Sequence, residues 1–432
     1  MRDQAWLLIC IFATGACGGT DDAASGSGGG SAATGGGASG AGGGSSGAAG
    51  GGSGGSAAAG TGGVGAGGSA ASGGAWVAPV GVPYPDFGVN ETAEGCTACT
   101  MKQQSNLDGL ANLAPGSVIE LSGGPFVGGK LEISGDGTAD KPIFVRGPSA
   151  GNRVVIQRET TIRGSYLIVE NIDFDLSKLS SGMSIENADH VALRHSEVHG
   201  YDPGKFSTAL YLGQSNDIVL LGNSVHDNGD FNFVGEQDVH GIGGGNIHRV
   251  WIVDNTLYKN RGDSAQFGHQ AGNTSSDIFI GRNDIYGDGE NCVDIKETSN
   301  VVVSENALHQ TAFGAPLVVF HDCPVNAALI YNELYDTAVG VSMASLESAC
   351  DGYRPVQQFV IRNAFKNVTD TAVSGWGSGK MHFVSGNTFS AVATPIDLSS
   401  VASGAVVAED DTDLAKALAA FKTTYGIDIT TP

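Results

Sequence analysis

The amino-acid sequence predicts an all-β solenoid, and three observations carry that reading. A short apolar strand closing on Asn recurs along the chain, as in Asp217–Asn223, Arg249–Asn255 and Asp277–Asn283. The Asn returns at Asn306, Asn332, Asn363 and Asn387, giving successive intervals of 32, 28, 23, 26, 31 and 24 residues. Periods of roughly 20–50 residues mark solenoids, propellers and arrays, and here each period holds short strands and no amphipathic helix. The third observation is strand alternation. Leu210 and Leu212 read as inward with Tyr211 outward, Ala265 and Phe267 as inward with Gln266 outward, and Val293 and Ile295 as inward with Asp294 and Lys296 outward. The next coil reads as Leu317 and Val319 inward, with Val318 and Phe320 outward. Equivalent side chains of successive coils would stand about 4.8 Å apart, a long regular face suited to a polymer. The recurring Asn reads as a structural stack that satisfies backbone groups at the turn.

Composition divides the chain. Residues 1–17 read as an export signal: Arg2, an apolar run from Ala5 to Ala13, then small residues and Cys17. The run is too short to span a bilayer. Thr14-Gly15-Ala16-Cys17 resembles a bacterial lipoprotein processing site, which would make Cys17 a lipid anchor and the protein an exported, outer-membrane or cell-surface lipoprotein; plain secretion is the alternative. Residues 18–75 are almost wholly Gly, Ser, Ala and Thr and cannot bury enough apolar surface to offset their ordering entropy, so they read as a tether. The folded domain is 76–432, divided into an N-terminal strap and cap (76–116), coils (117–408) and a C-terminal cap (409–432). Leu107, Leu110 and Leu113 at helical spacing predict a short helix over the first coil, and Leu414, Leu418, Phe421 and Tyr425 predict another over the last.

The net charge is −23, and only −2 of it lies before residue 76. That balance excludes a nucleic-acid partner, which needs a basic footprint. Of the seven cysteines, Cys96 and Cys99 form a Cys-x-x-Cys pair, Cys323 and Cys350 lie about one coil apart, and Cys292 is left for the solenoid wall. In an exported protein, disulfides are the leading reading.

Two runs carry a resemblance. Leu110-Ala111-Asn112-Leu113-Ala114-Pro115-Gly116-Ser117-Val118-Ile119-Glu120-Leu121 is similar to the entry of right-handed parallel β-helix proteins. Gly137-Thr138-Ala139-Asp140-Lys141-Pro142-Ile143-Phe144-Val145-Arg146-Gly147 resembles the polysaccharide lyases of the chondroitinase B and alginate lyase type, and some pectate lyases. The resemblance spans residues 100–400 and implies a right-handed parallel β-helix with short capping helices, acting as a monomer on an acidic polysaccharide.

One outward patch gathers the candidate chemistry. Asp238 and His240 come from one coil, Asp263, Gln266 and His269 from the next, Glu290, Asp294 and Lys296 from the third, and His321 and Asp322 from the fourth. Tyr211 on the adjacent coil is a candidate sugar platform, with Gln266 and His269 as further substrate contacts. Val341, Met343 and Ala372 fill similar places further along. A lyase on a uronic acid polymer must offset the substrate carboxylate, remove the proton α to it, and protonate the leaving oxygen. Lys296 is the candidate base, and His240 or His321 the acid. In the resembling families the carboxylate is often offset by calcium, which takes several hard oxygen ligands; Asp238, Asp263, Glu290 and Asp294 would supply them. Phe320-His321 stands where the resemblance places an arginine. Two other readings stay open: a non-catalytic surface glycan-binding or adhesion module, and an inverting glycoside hydrolase. The paired aspartates of β-helix polygalacturonases are absent from the coils, and the Gly-rich run Gly241–Asn246 precedes a strand, so it reads as a turn and not a phosphate loop. His195, His199, His226 and His309 fall at turns and read as structural.

Overall fold

A computed structural model describes residues 75–234, 237–268, 274–320, 324–345, 357–377, 381–401, 406–408 and 413–430. Strand after strand pairs in parallel with its counterpart one coil on, giving a β-solenoid of about ten turns. Three strips of strands make its walls. One runs through Asn216–Leu221, His248–Val253, Ser276–Gly281 and Ser299–Ser304. The second runs through Ser224–Asn228, Thr256–Asn260, Asp284–Tyr286 and Ala307–His309. The third runs through Ser207–Gly213, Val239–Gly245, Ala265–Phe267, Val293–Ile295 and Val318–Phe320.

Alternation decides which side chains fill the interior. Leu210, Leu212, Ala265, Phe267, Val293 and Ile295 are all fully buried there, as their pattern predicts. The coil at 317–320 is shifted by one from its predicted phase. Val318 pairs with Val293 and Phe320 with Ile295, so Val318 and Phe320 point inward and Val319 outward. The uninterrupted run Leu317-Val318-Val319-Phe320 carries no polar residue to mark the phase, and a one-residue slip exchanges the two faces. Val341, Met343 and Ala372 are likewise interior, and the outward positions there are Ser342 and Ser374.

The first strip is apolar on both faces. Val219, Trp251, Phe279, Val302, Ala328, Phe359 and Phe383 form a second core on its outer side. Two segments cover them. The strap 75–96 lays Val82, Phe87 and Ala93 on this face, and the helix Leu414–Tyr425 adds Ala417, Leu418 and Phe421. The strap is tied by Arg194, which donates to the carbonyls of Gly88 and Glu91, and by Arg146, which pairs with Glu94 at 2.7 Å. The C-terminal helix therefore lies along the flank, packed on Phe359, instead of across the open end. It ends at Gly426, in the left-handed conformation, as its sequence predicts. The predicted N-terminal helix is absent: residues 106–113 form turns, with Leu107 and Leu110 buried against the first coils. Among the described residues no helix is long and apolar enough to cross a membrane.

The recurring Asn forms a ladder between the first two strips. The Oδ1 of Asn255 accepts from the backbone N and the Nδ2 of Asn223, and the pattern repeats through Asn283, Asn306, Asn332, Asn363 and Asn387. The residue before each rung is left-handed: Gly222, Asp254, Arg282, Glu305, Tyr331, Arg362 and Gly386. This conformation turns the corner and is unfavourable for the five that are not glycine; the ladder's hydrogen bonds offset it. Cys96 and Cys99 are disulfide-bonded and Cys292 is free and buried inside, while Cys323 and Cys350 lie outside the described residues.

Candidate functional site

The site is built on the third strip, whose outward positions follow one another in register as Tyr211, Gly243, Gln266, Asp294 and Val319. Tyr211 leans along its own strand. A side chain at Gly213 would meet the ring carbon Cε1 at 2.7 Å, so the ring lies over a position that only glycine leaves clear. Gly243 beside it carries no side chain to stand against the ring.

The acid cluster sits where the strands begin. Asp238 and His240 come from the head of Val239–Gly245, Asp263 from the turn before Ala265–Phe267, and Glu290 from the turn before Val293–Ile295. His240 Nδ1 lies 3.3 Å from Asp238 Oδ1 and 3.3 Å from Asp263 Oδ2. It also lies 3.2 Å from the backbone nitrogen of Asp263. That N–H donates to Nδ1 and Asp238 Oδ1 takes no hydrogen bond, so the two carboxylates act on the ring through their charge. Burial alone would lower the imidazolium pKa, but Asp238 and then Asp263 raise it to about 9. Gly262 makes this approach possible: a Cβ there would stand 1.9 Å from Asp238 Oδ1.

The remaining groups carry the same signature. Burial, reinforced by the charge of Asp263, pushes Asp238 up to about 6. Burial, with Asp263 and Asp238 nearby, pushes Glu290 up to about 8. Asp263 itself is wholly buried, its Oδ1 accepting from the Asn291 backbone at 2.8 Å and its Oδ2 from Gln266 Nε2 at 2.9 Å. Gln266 Nε2 also donates to Asp294 Oδ2 at 3.3 Å, and that oxygen pairs with Lys296 Nζ at 3.1 Å. A continuous polar chain thus runs from Asp238 through His240, Asp263, Gln266 and Asp294 to Lys296.

The structure therefore brings together Asp238, His240, Asp263, Gln266, Glu290, Asp294 and Lys296, with Tyr211 two positions along the same face. His269, His321 and Asp322 lie outside the described residues. The four carboxylates expected to hold calcium do not converge on one point. Among the described residues two carboxylate–histidine groups close: Asp238, His240 and Asp263 here, and Asp189, His190 and Asp217 at the head of the first strip. The central donor of the group here is a ring nitrogen; the oxygens of Asp263 already accept from Gln266 and Asn291, whereas Asp238 Oδ1 is buried with no hydrogen-bond partner. Calcium takes six to eight hard oxygens, and Glu290 and Asp294 stand outside this three-residue group, so the four carboxylates do not assemble one calcium shell.

The turn histidines sit elsewhere. His199, His226, Tyr258, Tyr286, His309 and Tyr335 stack ring on ring along the second strip, with centroids 4.4–5.3 Å apart. His199 and His226 each reach back to a carboxylate of the preceding coil, Asp173 and Glu197. They brace the wall.

No protein-family model matches the chain, and no curated protein matches it. Solved structures do align. An alginate lyase from Paenibacillus sp. str. FPU-7 is 16% identical over 70% of this chain and 98% of that one, with a TM-score of 0.42. The A-module of a mannuronan C-5 epimerase from Azotobacter vinelandii is 18% identical over 69% and 87%, at 0.43. A DFA-IIIase from Arthrobacter chlorophenolicus A6, without its lid, is 13% identical over 66% and 64%, at 0.38.

Proposed function

We propose that the protein cleaves an acidic polysaccharide by β-elimination. The observation that carries this reading is the polar chain that links a lysine held by Asp294 to an imidazolium held by Asp238 and Asp263. The two groups come from coils two strands apart and are linked side chain to side chain through Asp263, Gln266 and Asp294. Lys296, in its neutral form, takes the proton α to the uronate carboxylate. The electron pair left on that carbon forms the new double bond and expels the linked sugar oxygen, which takes its proton from His240. Glu290 stays protonated at neutral pH and donates a hydrogen bond to the substrate carboxylate, lowering the repulsion an acidic protein would otherwise exert. Tyr211 offers its ring face to a sugar.

Export and anchoring through Cys17 belong to the same proposal. They place the domain on a tether where polymers are met, and they are tested by fatty-acid labelling of wild type against Cys17→Ser.

The activity test incubates the purified protein with alginate, pectate and chondroitin sulfate, with calcium and with chelator, and follows the ultraviolet absorbance of the unsaturated uronide. A rise on one polymer that survives the chelator is expected. Silence on all of them, with retardation in a polysaccharide gel, would replace elimination by glycan binding. A rise abolished by chelator would restore a metal to the site.

A further inference from the structure

Three loops leave the solenoid beside the acid cluster, and they carry an unusual share of its exposed apolar surface. Among the described residues eight large hydrophobic side chains are exposed, and Phe206, Phe233, Val234 and Phe313 are four of them. They stand on the segments 200–206, 229–234 and 310–317, which leave the second strip toward the third. The two coils between the last two loops cross more tightly, through 261–264 and 287–292. The result is a saddle with Asp263 and Glu290 on its floor and a loop on each side.

The loops meet above that floor. The rings of Phe231 and Phe313 lie 6.3 Å apart, centroid to centroid, although they belong to coils separated by two others. Beneath them the guanidinium of Arg261, two residues before Asp263, lies 4.4 Å from the centroid of the Phe313 ring. Both loops are fixed. Asp288 O accepts from Ala312 N at 2.6 Å, and Asn291 Nδ2 donates to Pro316 O at 2.5 Å, so the Phe313 loop is pinned on either side of Glu290. Gln237 accepts from Asp230 N at 2.7 Å and donates to Asp202 at 2.7 Å, which ties the first two loops together next to Asp238. Apolar side chains held in solvent by this many bonds are presented, not merely left over.

We propose that Phe231 and Phe313 form a sugar-stacking wall that receives the apolar face of a pyranose unit adjoining the reacting bond. The inference rests on the polysaccharide reading above. It extends that reading to specificity, since a ring face fixed beside the cluster selects which face of the sugar is presented to it. The chemistry is that of an aromatic face, negative at its centre, against the weakly positive C–H groups of a sugar ring. Phe313 is 56% exposed and free to take that role on its outer side.

The test compares the full-length wild type with Phe313→Leu, Phe231→Leu/Phe313→Leu and Phe313→Trp. Leucine keeps an apolar cover over Arg261 and removes the ring face. On the polymer that the wild type cleaves, the double variant is expected to raise KM about tenfold with kcat little changed, and Phe313→Trp to restore KM. Unchanged KM in the double variant, with its thermal midpoint intact, overturns the wall. If no polymer is cleaved, elimination fails, and the same variants are run in gels of the same three polymers. Retardation of the wild type that is lost in the double variant upholds the wall; equal retardation, or none for the wild type, overturns it.

Discussion

The imidazole of His240 stands 3.3 Å from the wholly buried carboxylate of Asp263. Replacing the ring leaves two carboxylates facing each other without a cation. We predict that His240→Ala costs roughly 3–5 kcal/mol, the usual consequence of breaking a buried pair. Adding Asp263→Asn to it should recover part of the loss. Urea denaturation of the single and double variants checks this, and additive losses would deny the coupling.

Lys296 reaches Asp294 at 3.1 Å from the end of a strand whose inward residues do the packing. Lys296→Ala should remove turnover and, by taking the cation from the buried carboxylate of Asp294, lower the thermal midpoint, while Lys296→Ala/Asp294→Asn should recover part of the stability and none of the turnover. Retained elimination in either variant would exclude Lys296 as the base.

Three groups of the cluster share one sign of pH dependence. Asp238, Glu290 and His240 all titrate higher in the folded protein than in the unfolded chain, at about 6, 8 and 9. Each binds more protons when folded, so the stability it contributes is complete at low pH and is lost as pH rises through its folded value. The thermal midpoint should fall between about pH 4 and 9, and Glu290→Gln should flatten the part of that fall between about 4.5 and 8. An alkaline-stable wild type would contradict the assignment. His382 opposes them at the acid end: burial lowers its pKa to about 4, so its share is lost as pH falls from 6.5 through 4.

A second, shorter ladder joins the second and third strips. Asn228 Nδ2 donates to Asn260 Oδ1 at 2.8 Å, and Asn260 N donates to Asp288 Oδ1 at 3.0 Å. Asp288 occupies the next rung with its other oxygen buried and unpartnered, and burial raises its pKa well above the usual carboxylate range. Asp288→Asn keeps the acceptor and turns the orphan oxygen into a donor. It should stabilise the protein at pH 8 by about 1–3 kcal/mol and by less at pH 4. A destabilised variant at both pH values would mean that the orphan is wanted.

In the long ladder, Asn283 accepts from Asn255 and donates to Asn306 and to the Ile252 carbonyl. Asn283→Ala should cost roughly 2–4 kcal/mol, because it strands buried partners on both neighbouring coils. Calorimetry of this variant would show it.

Much of the fold is legible in the sequence because two codes repeat in it. The Asn phrase marks the corner, and alternation marks the interior at Leu210, Phe267 and Ile295. The reading fails where a code is silent. Leu317–Phe320 is apolar throughout, so its phase is fixed only by pairing with Val293 and Ile295. Leu107, Leu110 and Leu113 have helical spacing, yet they meet the end of a sheet and pack as turns. The first strip looks like a strand buried on both sides, but nothing local says that the covering pieces come from the two ends of the chain.

The candidate site was legible as a set of residues and not as an arrangement. Reading along the coils collects Asp238, Asp263, Glu290 and Asp294, which suggests four carboxylates for a metal. It does not show that Gly262 clears the space for His240 to stand between two of them. Nor does it show Glu290 losing its charge, or Phe231 finding Phe313 across two coils, since burial and loop crossing arise from the stacked whole.

The strap has one consequence for how the molecule comes into being. It touches Ser304 at Val80 and Ile330 at Gly81, then runs past Trp251 at Pro83 back to Arg146 at Glu94, against the direction in which the coils accumulate. Residues made first are thus covered by a surface that is made much later. The strap can dock fully only after the chain has emerged past residue 330, so the earliest segment of the domain waits for the surface it covers. A solenoid whose coils touch only their neighbours can grow and melt coil by coil; this seam ties early coils to late ones and makes them stand or fall together.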